Sequence, residues 1–201
     1  HPGPAGRSSS QLGYGYLNTA AAVAAARRLG LAAAQAGPSP APDARPLAGT
    51  EGLKASGRPF WSQDSRHVAF FTADKLLKVP IEGGPAQKIC DADGADGSWS
   101  DQGLILFDGT ATAPLMAVPA SGGVPKPIIA VREGDAGMTF GWPQFLPGGD
   151  RFLYVVGDST ADLEGIWMAK ADGSERRRVV PGLSRAEYVP PGWLLFVSDS
   201  T

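Results

Sequence analysis

A stretch that opens on an aromatic, breaks at polar residues and then runs apolar occurs four times in this chain. "PFWSQDSRHVAFF" (59–71) aligns with "GSWSDQGLILF" (97–107), "PQFLPGGDRFLYVV" (143–156) and "AEYVPPGWLLF" (186–196). Its anchoring aromatics are Trp61, Trp99, Phe145 and Tyr188, spaced 38, 46 and 43 residues apart. A second landmark recurs between them: "KVPIEGGPAQKI" (78–89), "AVPASGGVPKPI" (117–128) and "WMAKADGSERRRVV" (167–180). Each reads as a strand, a glycine turn and a strand. A period of about 40 residues carrying four strands is the mark of a β-propeller blade.

The physics is legible within each unit. The break after the anchor (Ser62-Gln63-Asp64-Ser65, Ser100-Asp101-Gln102-Gly103, Pro147-Gly148-Gly149-Asp150) has tight-turn chemistry. The second strand is almost continuously apolar, as a strand buried on both faces between neighbouring blades must be. The third and fourth strands form a hairpin whose turn needs positive φ, supplied by Gly83-Gly84, Gly122-Gly123 and Asp172-Gly173. Pro80 and Pro119 cannot donate to a ladder and belong at a strand end or edge. The fold class is therefore all-β: a partial propeller of four-stranded antiparallel blades, about three and a half of them, from a whole of six or more. "ARPLAGTEG" (44–52) reads as the outer strand and exit loop of a preceding blade. Full blades follow at about 58–92, 95–132 and 140–182, and another starts at 186–201. The repeat anchors are Trp61, Trp99, Phe145 and Tyr188, with Gly84, Gly123 and Gly173 at the hairpin turns.

Residues 1–43 differ from the rest. "LNTAAAVAAARRLGLAAAQAG" is alanine-rich and "PSPAPD" reads as an extended linker. The segment is a low-complexity stretch, helical by propensity or disordered. Arg27 and Arg28 make it a poor membrane span, and charges that follow the apolar stretch do not suit a signal peptide. The chain starts at His1 and stops just after an apolar run, so both ends read as cut.

Composition removes several classes of function. A net charge of −2 gives no basic surface for nucleic acid or anionic lipid. Gly (27) and Pro (18) fall at turn-like intervals, which favours many short strands over disorder. One cysteine, Cys90, forms no internal disulfide and supplies no metal cluster, and reads as a small apolar residue at a strand end.

The assembled motifs "FWSxDSR", "AFF", "K(L)LKV", "GGPxQxIC", "GxWxxxGxILF", "WPQFLPGGxxFLY" and "PPGxLLF" resemble the C-terminal propeller of bacterial eukaryotic-like serine/threonine protein kinases, built from TolB-like, WD-type repeats. The resemblance covers about residues 44–201. Family repeats read Ser-Pro-Asp-Gly at the first turn, where Gln63, Gln102 and Ser65 stand here. The resemblance implies a non-catalytic sensor module that binds a protein or small-molecule ligand at a propeller face. It places the propeller on the extracytoplasmic side of the bacterial inner membrane, tethered to a kinase domain outside this chain. Similar repeats occur in gating propellers of prolyl-oligopeptidase-type serine peptidases and in free-standing TolB-like scaffolds.

No catalytic motif is present: no G-x-S-x-G elbow, Walker loop, H-E-x-x-H or kinase signature set. "FDGTA" (107–111) lies in an inter-strand loop without the remaining kinase motifs. His67 reads as structural, and Asp64, Asp101 and Asp150 as caps of turn amides. "DADGADG" (91–97) lacks the ligand spacing of a calcium loop and reads as a solvated inter-blade loop. Arg176, Arg177 and Arg178 blunt a sheet edge. Trp142, Trp167 and Trp193 read as core or inter-blade packing, with a channel-mouth tryptophan able to stack a ligand. No catalytic, cofactor or metal residue is expected. The terminal blades should leave apolar faces open, so the chain is expected to aggregate or to dimerise through them.

Overall fold

A computed structural model of the chain describes residues 47–109, 113–130, 138–157 and 163–197. The alanine-rich segment lies outside the described residues. Among those described there is no helix, only fourteen strands in chain order. Blade 1 contains β1 (Ser56–Trp61), β2 (His67–Phe71), β3 (Lys75–Pro80) and β4 (Gln87–Asp91). Blade 2 contains β5 (Gly97–Trp99), β6 (Leu104–Phe107), β7 (Leu115–Pro119) and β8 (Lys126–Ile129). Blade 3 contains β9 (Thr139–Phe145), β10 (Arg151–Gly157), β11 (Gly165–Lys170) and β12 (Arg177–Pro181). A hairpin of β13 (Ala186–Val189) and β14 (Trp193–Phe196) follows. In every blade the strands pair antiparallel in sequence order.

Each blade lays one face on the next, and the strand alternation shows how. Side chains directly opposite across an antiparallel pair share a face. Ala69 and Phe71 of β2 meet Trp99, Ile105 and Phe107 of blade 2 in one core cluster. Leu106 points the other way, joining Phe145, Phe152 and Tyr154 of blade 3. Leu153 and Val155 alternate again to meet Ala186, with Tyr188 and Leu194 of the hairpin packed against them. A strand apolar at every position is thus the strand that feeds two interfaces. Full burial of such a side chain stabilises by about 1.5–3 kcal/mol, so inter-blade contact is the main source of stability. The chain is a partial β-propeller.

The outer strands carry one extra residue at matching places. The register shifts at Leu76/Leu77, Leu115/Met116 and Ile166/Trp167 leave Ile89, Ile128 and Val179 bulged on the partner strands. The bulged carbonyls of Ile89 and Ile128 lie against the glycine turn of the following blade. Gly123 N–H donates to Ile89 O at 3.3 Å, and a Cβ on Gly173 would stand 2.2 Å from Ile128 O. Gly84 (φ +134), Gly123 (φ +141) and Gly173 (φ +81) hold these turns. At Gly173 a glycine is therefore required twice, by φ and by the close approach, whereas at Gly84 and Gly123 φ alone asks for it.

Of the outer strand and exit loop expected at 44–52, the described part, 47–52, contains no strand. Those residues form two consecutive turns, closed by Thr50 N–H to Leu47 O and Leu53 N–H to Thr50 O, both at 3.1 Å. Gly49 (φ +94) and Gly52 (φ +72) bend the chain away from the extended conformation a ladder needs. The segment nevertheless stands where an outer strand would. Gly84 N–H donates to Ala48 O at 3.2 Å, the contact that Gly123 makes with Ile89, and Leu47 packs on the cluster of Phe70, Leu77 and Val79.

Candidate functional site

The two ends of the blades hold different chemistry. At the end carrying the β1–β2 type of turn, polar side chains serve the backbone. Asp64 accepts from Ser62 Oγ–H at 2.6 Å and Arg66 N–H at 3.0 Å, and these bonds hold its carboxyl below the usual range. Ser62 Oγ accepts His67 N–H at 2.9 Å, and Ser100 Oγ accepts Leu104 N–H at 3.0 Å. Asp172 is held low in the same way by Ser174. Asp150 instead receives Gln102 Nε2–H from the neighbouring blade at 3.3 Å.

The four anchors sit at this end, each one residue before the turn. Trp99 and Phe145 are buried and Tyr188 is half-buried, each against the preceding sheet. Trp61 differs: it is 54% exposed, because no blade covers its face among the described residues. The His67 ring lies 6.0 Å from that of Trp99, and Lys78 Nζ stands 6.0 Å from the Trp99 centroid while donating to Ala120 O. A groove of about 510 Å³ opens between the two turns, lined by Asp64, His67, Trp99 and Asp101. Trp193, read as packing, is corrected: it is 69% exposed on the hairpin's outer side.

The opposite end gathers charge near the axis, where β1, β5 and β9 run side by side. Asp108, at the end of β6, accepts the N–H groups of Ala95 (3.0 Å) and Asp96 (2.7 Å). The backbone of Trp142, which has φ +51 at the bulge of β9, bonds the same carboxylate. Asp108 thereby shapes the loop that enters β5 and fixes Asp96. The Asp96 side chain is 12% exposed, with Arg58 Nε at 3.9 Å and Arg185 at 3.7 Å from one of its oxygens. Burial, with the nearby Asp108 charge, pushes the Asp96 carboxyl up to about 6 against the pull of Arg58. Burial also raises Asp108, opposed by its backbone donors. The loop read as solvated therefore hides one of its acids. A buried carboxylate flanked by two half-exposed guanidiniums offers acceptor and donors to a charged group at the axial mouth. Among the described residues no three His, Cys, Asp or Glu side chains come together as metal ligands.

Cys90 is buried, and desolvation pushes its thiol up to about 11, the direction that makes a cysteine inert. Of the arginines, Arg176 Nε donates to the buried Tyr154 hydroxyl at 3.1 Å, while Arg177 and Arg178 lie exposed on the outer strand β12. Among the described residues no helix is long and apolar enough to cross a membrane.

No protein-family model and no curated protein matches the chain. Solved structures similar to it include the nidogen/laminin complex, at 13% identity and TM-score 0.47, covering 59% of this chain and 45% of that one. A putative TolB from Agrobacterium tumefaciens is 15% identical at TM-score 0.36, over 65% of this chain and 63% of that one. A puromycin-hydrolyzing peptidase of Mycobacterium tuberculosis is 15% identical at TM-score 0.43, over 71% of this chain and 27% of that one. The chain spans less than two thirds of the length of each.

Proposed function

We propose that this propeller segment is a non-catalytic interaction module that receives a ligand at its axial mouth. The observation that carries this reading is convergence: Arg58 of blade 1 and Arg185 before the hairpin both reach Asp96 of blade 2. Residues far apart in sequence and fixed by separate sheets meet at one half-open spot, as ligand sites do. The engaged state of the turn-end acids, spent on backbone amides, also fits a scaffold better than acid–base chemistry.

On the sequence resemblance, the parent is a membrane-tethered serine/threonine protein kinase with the propeller on the extracytoplasmic side. Ligand binding there would bias kinase association. Two measurements test the reading. Purified chain incubated with ATP, peptides and esters should turn over none of them, and turnover abolished by one substitution within 58–201 contradicts it. The reading frame upstream should encode a kinase domain and an apolar span; a hydrolase with a G-x-S-x-G elbow downstream contradicts the parentage.

A further inference from the structure

The axial acid Asp96 is fixed by backbone and only loosely engaged by side chains. Asp108 N–H donates to Asp96 O at 3.1 Å, and Asp96 N–H donates to Asp108 Oδ1 at 2.7 Å. Strand β1 closes on the same loop, with Arg58 N–H donating to Ala95 O at 2.7 Å. That approach requires glycine at position 57 (φ +67), where a Cβ would stand 2.1 Å from Ala95 O. Arg58 and Asp96 are thus neighbours by main-chain geometry.

Their side chains nevertheless stop short of each other. Arg58 Nε and Arg185 Nη1 stand 3.9 and 3.7 Å from Asp96 Oδ1, both beyond a hydrogen bond. The two arginine side chains are 49% and 37% exposed. Two forks of N–H donors therefore converge with their hydrogen-bonding capacity unspent on Asp96. A planar carboxylate matches such forks, two N–H groups to two oxygens. The cluster faces the axis, which a propeller keeps as a central channel, so further blades would wall the site without covering it.

Charge decides which state of Asp96 accepts an anion. On the elements packed around it the charged groups are Arg58 of β1, Asp108 just past β6 and Arg185 ahead of β13; β5 and β9 have none. Its own loop adds Asp93 and also Asp91, which pairs with Lys88. With Asp108 ionised among its backbone donors, the two guanidiniums leave one positive charge over when Asp96 is protonated and none when it is ionised. A protonated Asp96 also has an O–H to donate, whereas an ionised one repels an anion.

We infer that the axial mouth binds a carboxylate between Arg58 and Arg185, with Asp96 taking a proton from solvent and donating it in a hydrogen bond to the bound oxyanion. This rests on the axial mouth being the ligand site and adds the ligand's chemistry and its coupling to pH. Burial, with the Asp108 charge, already holds the Asp96 carboxyl up at about 6, and a bound anion raises it further.

The test is calorimetric titration of the full 201-residue chain with benzoate, and with benzamide as its uncharged match, on both sides of pH 6. The wild type should bind benzoate and not benzamide, with affinity falling by up to about tenfold per pH unit above about 6. Arg58→Gln and Arg185→Gln should each weaken binding by about tenfold or more. Asp96→Asn, whose amide N–H donates at every pH, should bind benzoate with an affinity that no longer changes with pH. Unchanged unfolding midpoints show that the variants are folded. A tripeptide with a free C-terminus, compared with its amidated form, separates two sources of the carboxylate. Tighter binding than benzoate assigns it to a polypeptide end, and weaker binding to a small acid. Benzoate affinity that is flat with pH in the wild type, or abolished by Asp96→Asn, overturns the inference, as does the absence of binding by every probe. Benzamide binding as tightly as benzoate, and weakened by Arg58→Gln, overturns the carboxylate while keeping the mouth as a ligand site. Binding that both arginine variants leave unchanged overturns the mouth itself.

Discussion

Trp61 and Trp99 are the same residue at the same point of the repeat, each one position before a serine-led turn, yet one is 54% exposed and the other 8%. Their own strands do not differ enough to cause this. Trp99 lies under the His67 ring and the blade 1 core, while among the described residues Trp61 faces a side where only Leu47 and its turns provide cover, farther out. In a propeller the burial of a side chain is decided by the neighbouring sheet, so equal sequence does not mean equal energy.

The largest test of that difference is truncation. Trp99→Ala should destabilise the chain by roughly 3–5 kcal/mol in denaturant unfolding, the range for a buried aromatic. Trp61→Ala, measured on dilute chain, should change stability by no more than about 0.5 kcal/mol, as an exposed position does. Equal losses would mean that the open face is not open.

Two glycines with similar φ extend the same contrast to the backbone. Gly173 (φ +81) would press a Cβ on Ile128 O of the preceding blade, whereas Gly103 (φ +76) has nothing within 4 Å. Alanine at Gly103 should cost about 1–2 kcal/mol, the left-handed penalty alone. Alanine at Gly173 should cost more, roughly 2–4 kcal/mol, because an inter-blade contact must also shift. Comparable unfolding midpoints for the two variants would remove the bulge–glycine contact from the account.

A smaller effect concerns the inter-blade hydrogen bond. Ser98→Ala removes the acceptor of Phe145 N–H and should cost about 1 kcal/mol, with the sheets otherwise unchanged. Smaller still and opposite in sign is Ser65→Gly. Ser65 stands at φ +57 where blades 2 and 3 have Gly103 and Gly149, so glycine should stabilise by up to about 1 kcal/mol.

The axial acid adds a pH dependence. Asp96 has a folded-state pKa near 6, above the ordinary 3.8, so the folded state holds its proton more tightly than the unfolded chain does. Its contribution is most favourable below about pH 4 and is lost as pH rises toward and past 6. Asp96→Asn should flatten that part of the stability curve; a variant that tracks the wild type through this window would contradict the assignment.

Strands and turns were legible because their causes are local. Apolar runs such as Leu104–Phe107 and paired glycines such as Gly122-Gly123 report backbone geometry directly. The departures arise from causes outside the local window. Residues 44–52 read as an outer strand with its exit loop by analogy with the repeat, and Gly49 and Gly52 carry the turn signal that leaves no strand over 47–52. Asp96 looked solvated in a glycine-rich acidic loop, and only the fold brings Asp108, just past β6, to its amide. Trp193 reads as packing because it opens the apolar run Trp193–Phe196, but among the described residues no sheet lies on its outer side.

Oxidative footprinting of the individual tryptophans in dilute chain tests the governing role of the neighbouring blade most directly. Trp99 should be protected until global unfolding, while Trp61 and Trp193 react as readily as exposed side chains. Protection of Trp61 equal to that of Trp99, under conditions where the chain is monomeric, would contradict it.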